Sequence, residues 1–418
     1  MNMKKIIFDN GFRVILNPLP YLRSCSMGIW IGSGSRFETA ETSGLSHFIE
    51  HMLFKGTDTL SARDIAEITD ETGGSLNAYT TKEYTCIYAR SLTRHIEKLF
   101  SVIGEMITEP LLKESDIELE KGVVTEELLS YEDSSEDLCI DTFYENFWKS
   151  DMLGRNIVGK RENILSFDEK MMREHMKKFY VPERMVCVFS GNFNEDDVLK
   201  LCEKYFGKLL NTNNPITAGA AQPHRFVKCV GKRFEQNIVT LGFPGIASSD
   251  KRLHACNYAC AVLGGTGSSR LFQRIREELG LVYSIDAFNT AYLHSGAVCI
   301  MMGLSHTNEE RAICEVLRLM REFPDTLTKA EFERIKEQTE AAAVMSLESP
   351  GTAAARLARG ELLSFEAVTD DEYLNRLSSV TFEEFSDMAH TLFDTKDISL
   401  CVTGKVKTQK FYRELLAR

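Results

Sequence analysis

Three ionisable side chains in the stretch Gly44–Thr57 could act together: His47, Glu50 and His51. On a helix their spacing of i, i+3 and i+4 puts them within about a third of the circumference. Two imidazoles one turn apart can reach the same metal ion, and a carboxylate between them can reach water at that ion. The order H-x-x-E-H inverts the H-E-x-x-H pattern of zinc hydrolases. The alternative is a pair of core histidines satisfied by local hydrogen bonds, with Glu50 exposed near a helix end. A catalytic zinc needs a third protein ligand and keeps a fourth position open. A second cluster offers one. In a helix spanning 117–133, Glu120 and Glu127 lie nearly two turns apart within a stripe formed by Val123, Val124, Leu128 and Tyr131. Glu126 is turned about 100° from Glu127 and faces water. A carboxylate on a packed face is costly unless it is paired or holds a metal. A buried hydrogen-bonded carboxylate, or a misjudged face, is the other explanation.

These residues need a scaffold. The stretch 44–57 reads as one buried helix, capped by Thr42 or Ser43 and ended at Gly56. Before it, strands at 5–8 and 12–16 flank Asp9-Asn10-Gly11, a type I′ hairpin signal, and a third strand covers 26–31. Ser61 opens a helix over 62–72 that Gly73-Gly74 closes; strands follow at 75–79 and 84–90, then a helix over 93–108. Ser166-Phe167-Asp168-Glu169 is a capping box for a helix over 171–179. A strand at 184–190 and a helix over 195–206 follow. Residues 208–224 have no apolar period and read as a linker. Beyond them the order repeats: strand 237–242, helices 254–263 and 270–279, strands 282–290 and 297–303, helix 309–323, and a long helix from Lys329. The expected fold is therefore α+β, two homologous α/β-sandwich domains with mixed, mostly antiparallel sheets covered by helices. The domains are 1–210, a linker at 211–224, and 225–418. The second copy has no His-x-x-Glu-His, so only one half would hold metal.

At 418 residues the chain exceeds one ordinary core. Its 43% hydrophobic and 26% charged content is that of a globular protein. No apolar run reaches the ~20 residues of a membrane span, and Asp9-Asn10 interrupts the N-terminus before a secretory leader forms. The 11 cysteines lack C-x-x-C pairs, with Cys256 and Cys260 placed in the core. That usage fits a reducing, cytoplasmic setting. A net charge of −12 without a basic stripe argues against a nucleic-acid binder. It suits either attraction of basic peptides or plain solubility.

Taken with Glu127 in Glu120-Lys-Gly-Val-Val-Thr-Glu-Glu127, the His47-x-x-Glu50-His51 motif resembles the pitrilysin/insulinase family of inverzincin metallopeptidases over essentially the whole chain. Its short bacterial branch, similar to the mitochondrial processing peptidase β subunit, matches best. The resemblance implies one Zn²⁺ per chain on His47, His51 and Glu127, Glu50 as general base, and Glu120 holding a ligand histidine. Asn77, Ala78, Tyr79 and Thr80 resemble the family's edge strand that pairs with substrate; a plain core strand is the alternative. Arg276 and Tyr283, in Arg276-Glu-Glu-Leu-Gly-Leu-Val-Tyr283, resemble the pair brought over the zinc from a later domain. Arg276 would hold a substrate carbonyl and Tyr283 the oxyanion; as bare residues they are a surface charge and a half-buried strand residue. A two-domain chain would supply this pair in trans, across a homodimer, or a heterodimer with a motif-less relative, that closes into a chamber. The expected activity is a zinc endopeptidase cutting peptides or unfolded segments. A non-proteolytic assembly subunit of the same fold is the competing function. Gly265-Thr266-Gly267-Ser268-Ser269-Arg270 is not a phosphate loop, since no Walker lysine follows.

Overall fold

The computed structural model describes residues 3–213, 217–364, 366–393 and 397–417. Its contacts group the chain into two compact units, each drawn from three segments. The first takes 1–128, 156–217 and 344–373; the second takes 129–155, 218–343 and 374–418. The linear division at 210 and 225 therefore does not describe the packing, because each half of the chain lends one segment to the other unit. In chain order the first half holds the helices α1 (Leu45–Leu53), α2 (Ala62–Thr72), α3 (Ile96–Thr108), α4 (Glu114–Asp133), α5 (Ser135–Phe147), α6 (Arg161–Ser166), α7 (Glu169–Phe179) and α8 (Glu195–Phe206).

The first unit is built on a six-stranded sheet, from β1 (Lys4–Ile7), β2 (Arg13–Pro18), β3 (Ser24–Ile31), β4 (Ser75–Thr80), β5 (Thr85–Leu92) and β6 (Met185–Gly191), in the order β1-β2-β6-β3-β5-β4. Only β2 and β6 run parallel. A hairpin turn forms at Asp9-Asn10-Gly11, but only Gly11 has a positive φ, +90°, so it is not the type I′ turn that the sequence predicts. Period-two alternation splits the central strands between two cores. Val14, Leu16, Ile29 and Phe189 lie on one face with α1, α3 and α8. Ile15, Trp30, Val186 and Val188 lie on the other, beneath Ala354, Leu357 and Ala358 of a helix from late in the chain. Burial on both faces is why β6 reads as an unbroken apolar run. Strand β4 is an edge, paired only with β5.

The second unit has a five-stranded sheet, from β7 (Val227–Gly231), β8 (Asn237–Pro244), β9 (Ser284–Tyr292), β10 (Ser295–Leu304) and β11 (Ser399–Gly404), in the order β7-β11-β8-β10-β9, with β7 and β11 parallel. Its helices are α9 (Leu253–Leu263), α10 (Glu309–Glu322), α11 (Lys329–Leu347), α13 (Asp370–Ser378), α14 (Phe382–Leu392) and α15 (Gln409–Leu416); α12 (Pro350–Ser364) is the helix on the first unit's sheet. Strand for strand this repeats the first sheet without its β1. The duplication inferred from the sequence is borne out. Helices α5 and α12 occupy the same place in the two repeats yet pack on the sheet of the other half. Cys139, Phe143 and Phe147 of α5 pack on Ile238, Cys299 and Cys401 of the second sheet. Cys256 and Cys260 are buried in the core, as expected. No helix among the described residues is long and apolar enough to cross a membrane.

Candidate metal centre

Helix α1 is anchored by Leu45, Phe48, Ile49, Met52 and Leu53, all fully buried. Its caps differ from the expected ones. Thr42 bonds locally to Thr39, and the first turn is capped from a distance by Glu38. That carboxylate accepts the Gly44 N–H at 2.8 Å and the Ser46 N–H at 2.7 Å. Burial raises the Glu38 carboxyl to about 7, although these donors pull it down. Gly44 sits at φ +101°, where a Cβ would meet the Val158 carbonyl oxygen at 2.4 Å, so no larger residue fits. The helix ends at Leu53 and not at Gly56, which starts the next turn at φ +131°.

The rings of His47 and His51 lie side by side, centroids 4.6 Å apart. His47 Nε2 is 3.7 Å from Glu127 Oε1, and His51 Nε2 is 3.5 Å from Glu127 Oε2. One ligand atom from each residue falls within 4.8 Å of the others. Zinc bonds of about 2.1 Å give a tetrahedron edges of about 3.4 Å. The two His–Glu separations are close to that edge, and a set of three donors within 4.8 Å is a group that can hold one such ion. Burial, and then the charge of His51, holds the His47 imidazole down to about 4, in the neutral form a ligand needs. Burial also works to lower His51, but the Glu120 hydrogen bond and the charges of Glu120, Glu127 and Glu50 outweigh it and raise the ring.

Helix α4 delivers Glu127 and Glu120 from a face that sequence reasoning placed only in part. Ile117, Val124 and Leu128 are buried, but Val123 and Tyr131 are 53% and 38% exposed. The seam follows Ile117, Glu120, Val124 and Leu128, with Glu127 half-buried beside it and Glu126 exposed. Glu120 is 3% exposed and uses both oxygens: Oε1 bonds His51 Nδ1 at 2.8 Å, and Oε2 pairs with Lys55. Burial pushes its carboxyl up, but the His51 and Lys55 contacts prevail and bring it down. Lys55 escaped the sequence reading; its signal was its place one turn beyond His51. His47 Nδ1 is buried and has no hydrogen-bond partner among the described residues.

Glu50 lies on the same helix, and its Oε2 accepts the Thr80 hydroxyl proton at 2.5 Å. Burial is the main cause that raises its carboxyl, while Thr80 and His51 act against it. Of the four candidate residues on β4, Ala78 packs in the core shared with α1, while Tyr79 packs on the opposite face. There Trp30 Nε1 donates to Tyr79 Oη at 3.4 Å. By strand alternation Asn77 shares the Tyr79 face, and its Oδ1 accepts the Ala78 N–H. Arg276 and Tyr283 belong to the second unit and are joined, Arg276 Nε donating to the Tyr283 carbonyl at 3.0 Å. Arg276 sits in a wide π-helical turn, Phe272–Glu278, where an α-helix was expected, and it also pairs with Glu277. Tyr283 is 63% exposed just before β9.

Fold and cluster together define a duplicated α/β protein with a two-histidine, one-glutamate centre in its first copy. Family models match as insulinase (peptidase family M16) over residues 13–161 and as the peptidase M16 inactive domain over 166–339. A Bacillus subtilis protein named uncharacterized zinc protease YmxG is 37% identical over 402 residues, 96% of this chain and 98% of that one. The Streptomyces coelicolor uncharacterized zinc protease SCO5738 is 32% identical, covering 98% of this chain and 91% of the relative. Two solved structures share the fold. A protease from Helicobacter pylori gives a TM-score of 0.89 at 20% identity, over 96% of this chain and 99% of that one. A peptidase M16 inactive domain from Pseudomonas fluorescens gives 0.90 at 15% identity, over 98% and 99%. The chain belongs to the insulinase family of zinc peptidases.

Proposed function

We propose that this chain is a zinc endopeptidase of peptides and unfolded segments, with His47, His51 and Glu127 as the ligands of one ion and Glu50 as general base. What supports it is the convergence of those three donors within 4.8 Å of one another, with Glu50 on the same helix as the two histidines. When bound, zinc acidifies water and polarises the scissile carbonyl. Glu50 takes the proton of the attacking water and passes it to the leaving amine. Glu120, gripped by Lys55, fixes the tautomer and tilt of the His51 ring. An extended substrate can add to the open edge of β4 through main-chain hydrogen bonds. Arg276 and Tyr283 would hold the substrate carbonyl and the oxyanion, supplied from a second chain in a homodimer or heterodimer that closes into a chamber. The likeness to the processing peptidase β subunit and a cytoplasmic setting belong to the same proposal.

The test is metal analysis with cleavage of internally quenched peptides, comparing wild type with Glu50→Gln. The variant should keep its zinc and lose turnover by about 10²- to 10⁴-fold. Equal cleavage by both would remove Glu50 from the chemistry.

A further inference from the structure

We infer that Thr80 is a positioning residue for Glu50, acting through its side-chain hydroxyl and not only through the backbone of an edge strand. The inference rests on the peptidase reading above and assigns one more residue to that site. Its basis is where each hydroxyl proton goes. The Thr80 Oγ1–Glu50 Oε2 separation is 2.5 Å, the range of a hydroxyl donating to a carboxylate. Thr85, opposite Thr80 in the β4–β5 register, approaches the same hydroxyl at 3.4 Å. Thr85 has one proton of its own, and it goes to the Ser33 carbonyl at 2.7 Å. A carboxylate has no proton to give, so the short contact is made by the Thr80 proton.

The consequence is geometric. Glu50 has several rotatable bonds, and a base must meet its proton within about 2.6–3.2 Å. Thr80 is paired with Thr85 at the end of the β4–β5 ladder, and Thr85 also approaches its hydroxyl at 3.4 Å, so the hydroxyl is presented from a paired strand. With Oε2 tied to that hydroxyl, the carboxylate plane is set and Oε1 remains free to exchange the proton with water. Strand alternation puts Thr80 on the α1 side of β4 with Ala78, away from Tyr79. The same strand can therefore pair with substrate by its edge while one side chain aligns the base.

The test compares Thr80→Val, which keeps the shape and removes the hydroxyl, with Thr80→Ser, which keeps the hydroxyl and removes the methyl. Each is read by zinc content, thermal midpoint, and kcat and KM on an internally quenched peptide that the wild type cuts. The expected result for T80V is full zinc, KM within about twofold, and kcat lower by about 10- to 100-fold, the cost of a reacting group about an ångström out of place. T80S should recover most of the lost kcat. Should T80V misfold, Thr80→Ala against T80S gives the same hydroxyl comparison. Unchanged kcat in T80V, or equal losses in T80V and T80S, overturns the inference while leaving the peptidase reading intact. A zinc-loaded wild type that cuts no peptide overturns both.

Discussion

Helices α1 and α9 hold the same place in two sheets of the same topology, yet they are put to opposite uses. Helix α1 buries its apolar residues and still carries His47, Glu50 and His51. Helix α9 fills the corresponding volume with Ala255, Cys256, Tyr258, Ala259 and Cys260, and the Tyr258 hydroxyl is spent on the Leu377 carbonyl. The long helices differ in the same way. Helix α4 buries Glu120 among Ile117, Val124 and Leu128, whereas α11 buries only Phe332, Ile335 and Ala343. The architecture requires none of the ionisable groups, since one copy stands without them. In the other copy they are kept against a desolvation cost, which is what the proposed zinc site requires of them.

The sharpest way to break this contrast is to disable each copy in turn. Glu127→Ala should abolish both zinc retention and cleavage, while His254→Asn in α9 should leave both unchanged, as read by metal analysis and peptide assay. Zinc loss in His254→Asn would show that the copies share the site. The next effect concerns the anchor. Glu120→Ala should weaken zinc about 10- to 100-fold in a competition titration with a chelator, and Lys55→Ala less, because Glu120 keeps its bond to His51.

The support beneath α1 should also be sensitive to acid. His175 Nε2 meets Ser33 Oγ at 2.9 Å and Ser46 Oγ at 3.3 Å. Burial foremost, then the charges of Lys178 and Arg184, pushes its imidazole down to about 3. A folded value below the ordinary 6.5 means that the unfolded chain takes up a proton first. This contribution to stability is therefore complete above pH 6.5 and shrinks as pH falls from 6.5 toward 3. Glu38 works the other way: its raised value favours the fold as pH falls from 7 toward 4.5. Urea midpoints of zinc-free wild type and His175→Asn at pH 7.5 and 5 separate the two. The wild type should lose about 1–2 kcal/mol more than the variant over that interval.

The smallest effect is on α4. Gly122 is exposed inside the helix, and a Cβ there meets nothing within 4 Å. Gly122→Ala should raise stability by about 1 kcal/mol with no change in kcat. A drop in kcat would mean that the site needs a loose α4.

Local signals were legible wherever a backbone rule is strict. Ser61 caps α2 in a capping box and Gly73 ends it at φ +58°, as their types require. The helix read over 195–206 forms as Glu195–Phe206, with Asn194, not singled out from the sequence, as its cap. The Ser166–Glu169 signal was real but shifted: Asp168 is the cap, its side chain accepting the Met171 N–H, so α7 starts at Glu169. The α1 cap was not legible, because its donor lies outside the local segment, on Glu38. Strands β7 and β11 passed unread: β11 is buried along its whole length and shows no alternation, and the parallel pairing that joins the two brings together residues far apart in the chain.

The order of residue types alone determined that two imidazoles and a carboxylate share one helical face, that another acidic pair recurs two turns apart, and that the unit is duplicated, because helical and strand periods are intrinsic to the backbone. Tertiary packing decided the rest. It chose Ile117 over Val123 for the α4 seam, sent α5 and α12 to each other's sheets, and turned Thr80 toward Glu50 and Tyr79 away. Amphipathic periodicity says that a face will be covered. Which surface covers it depends on shape and on residues hundreds of positions away, and only the folded chain brings those together.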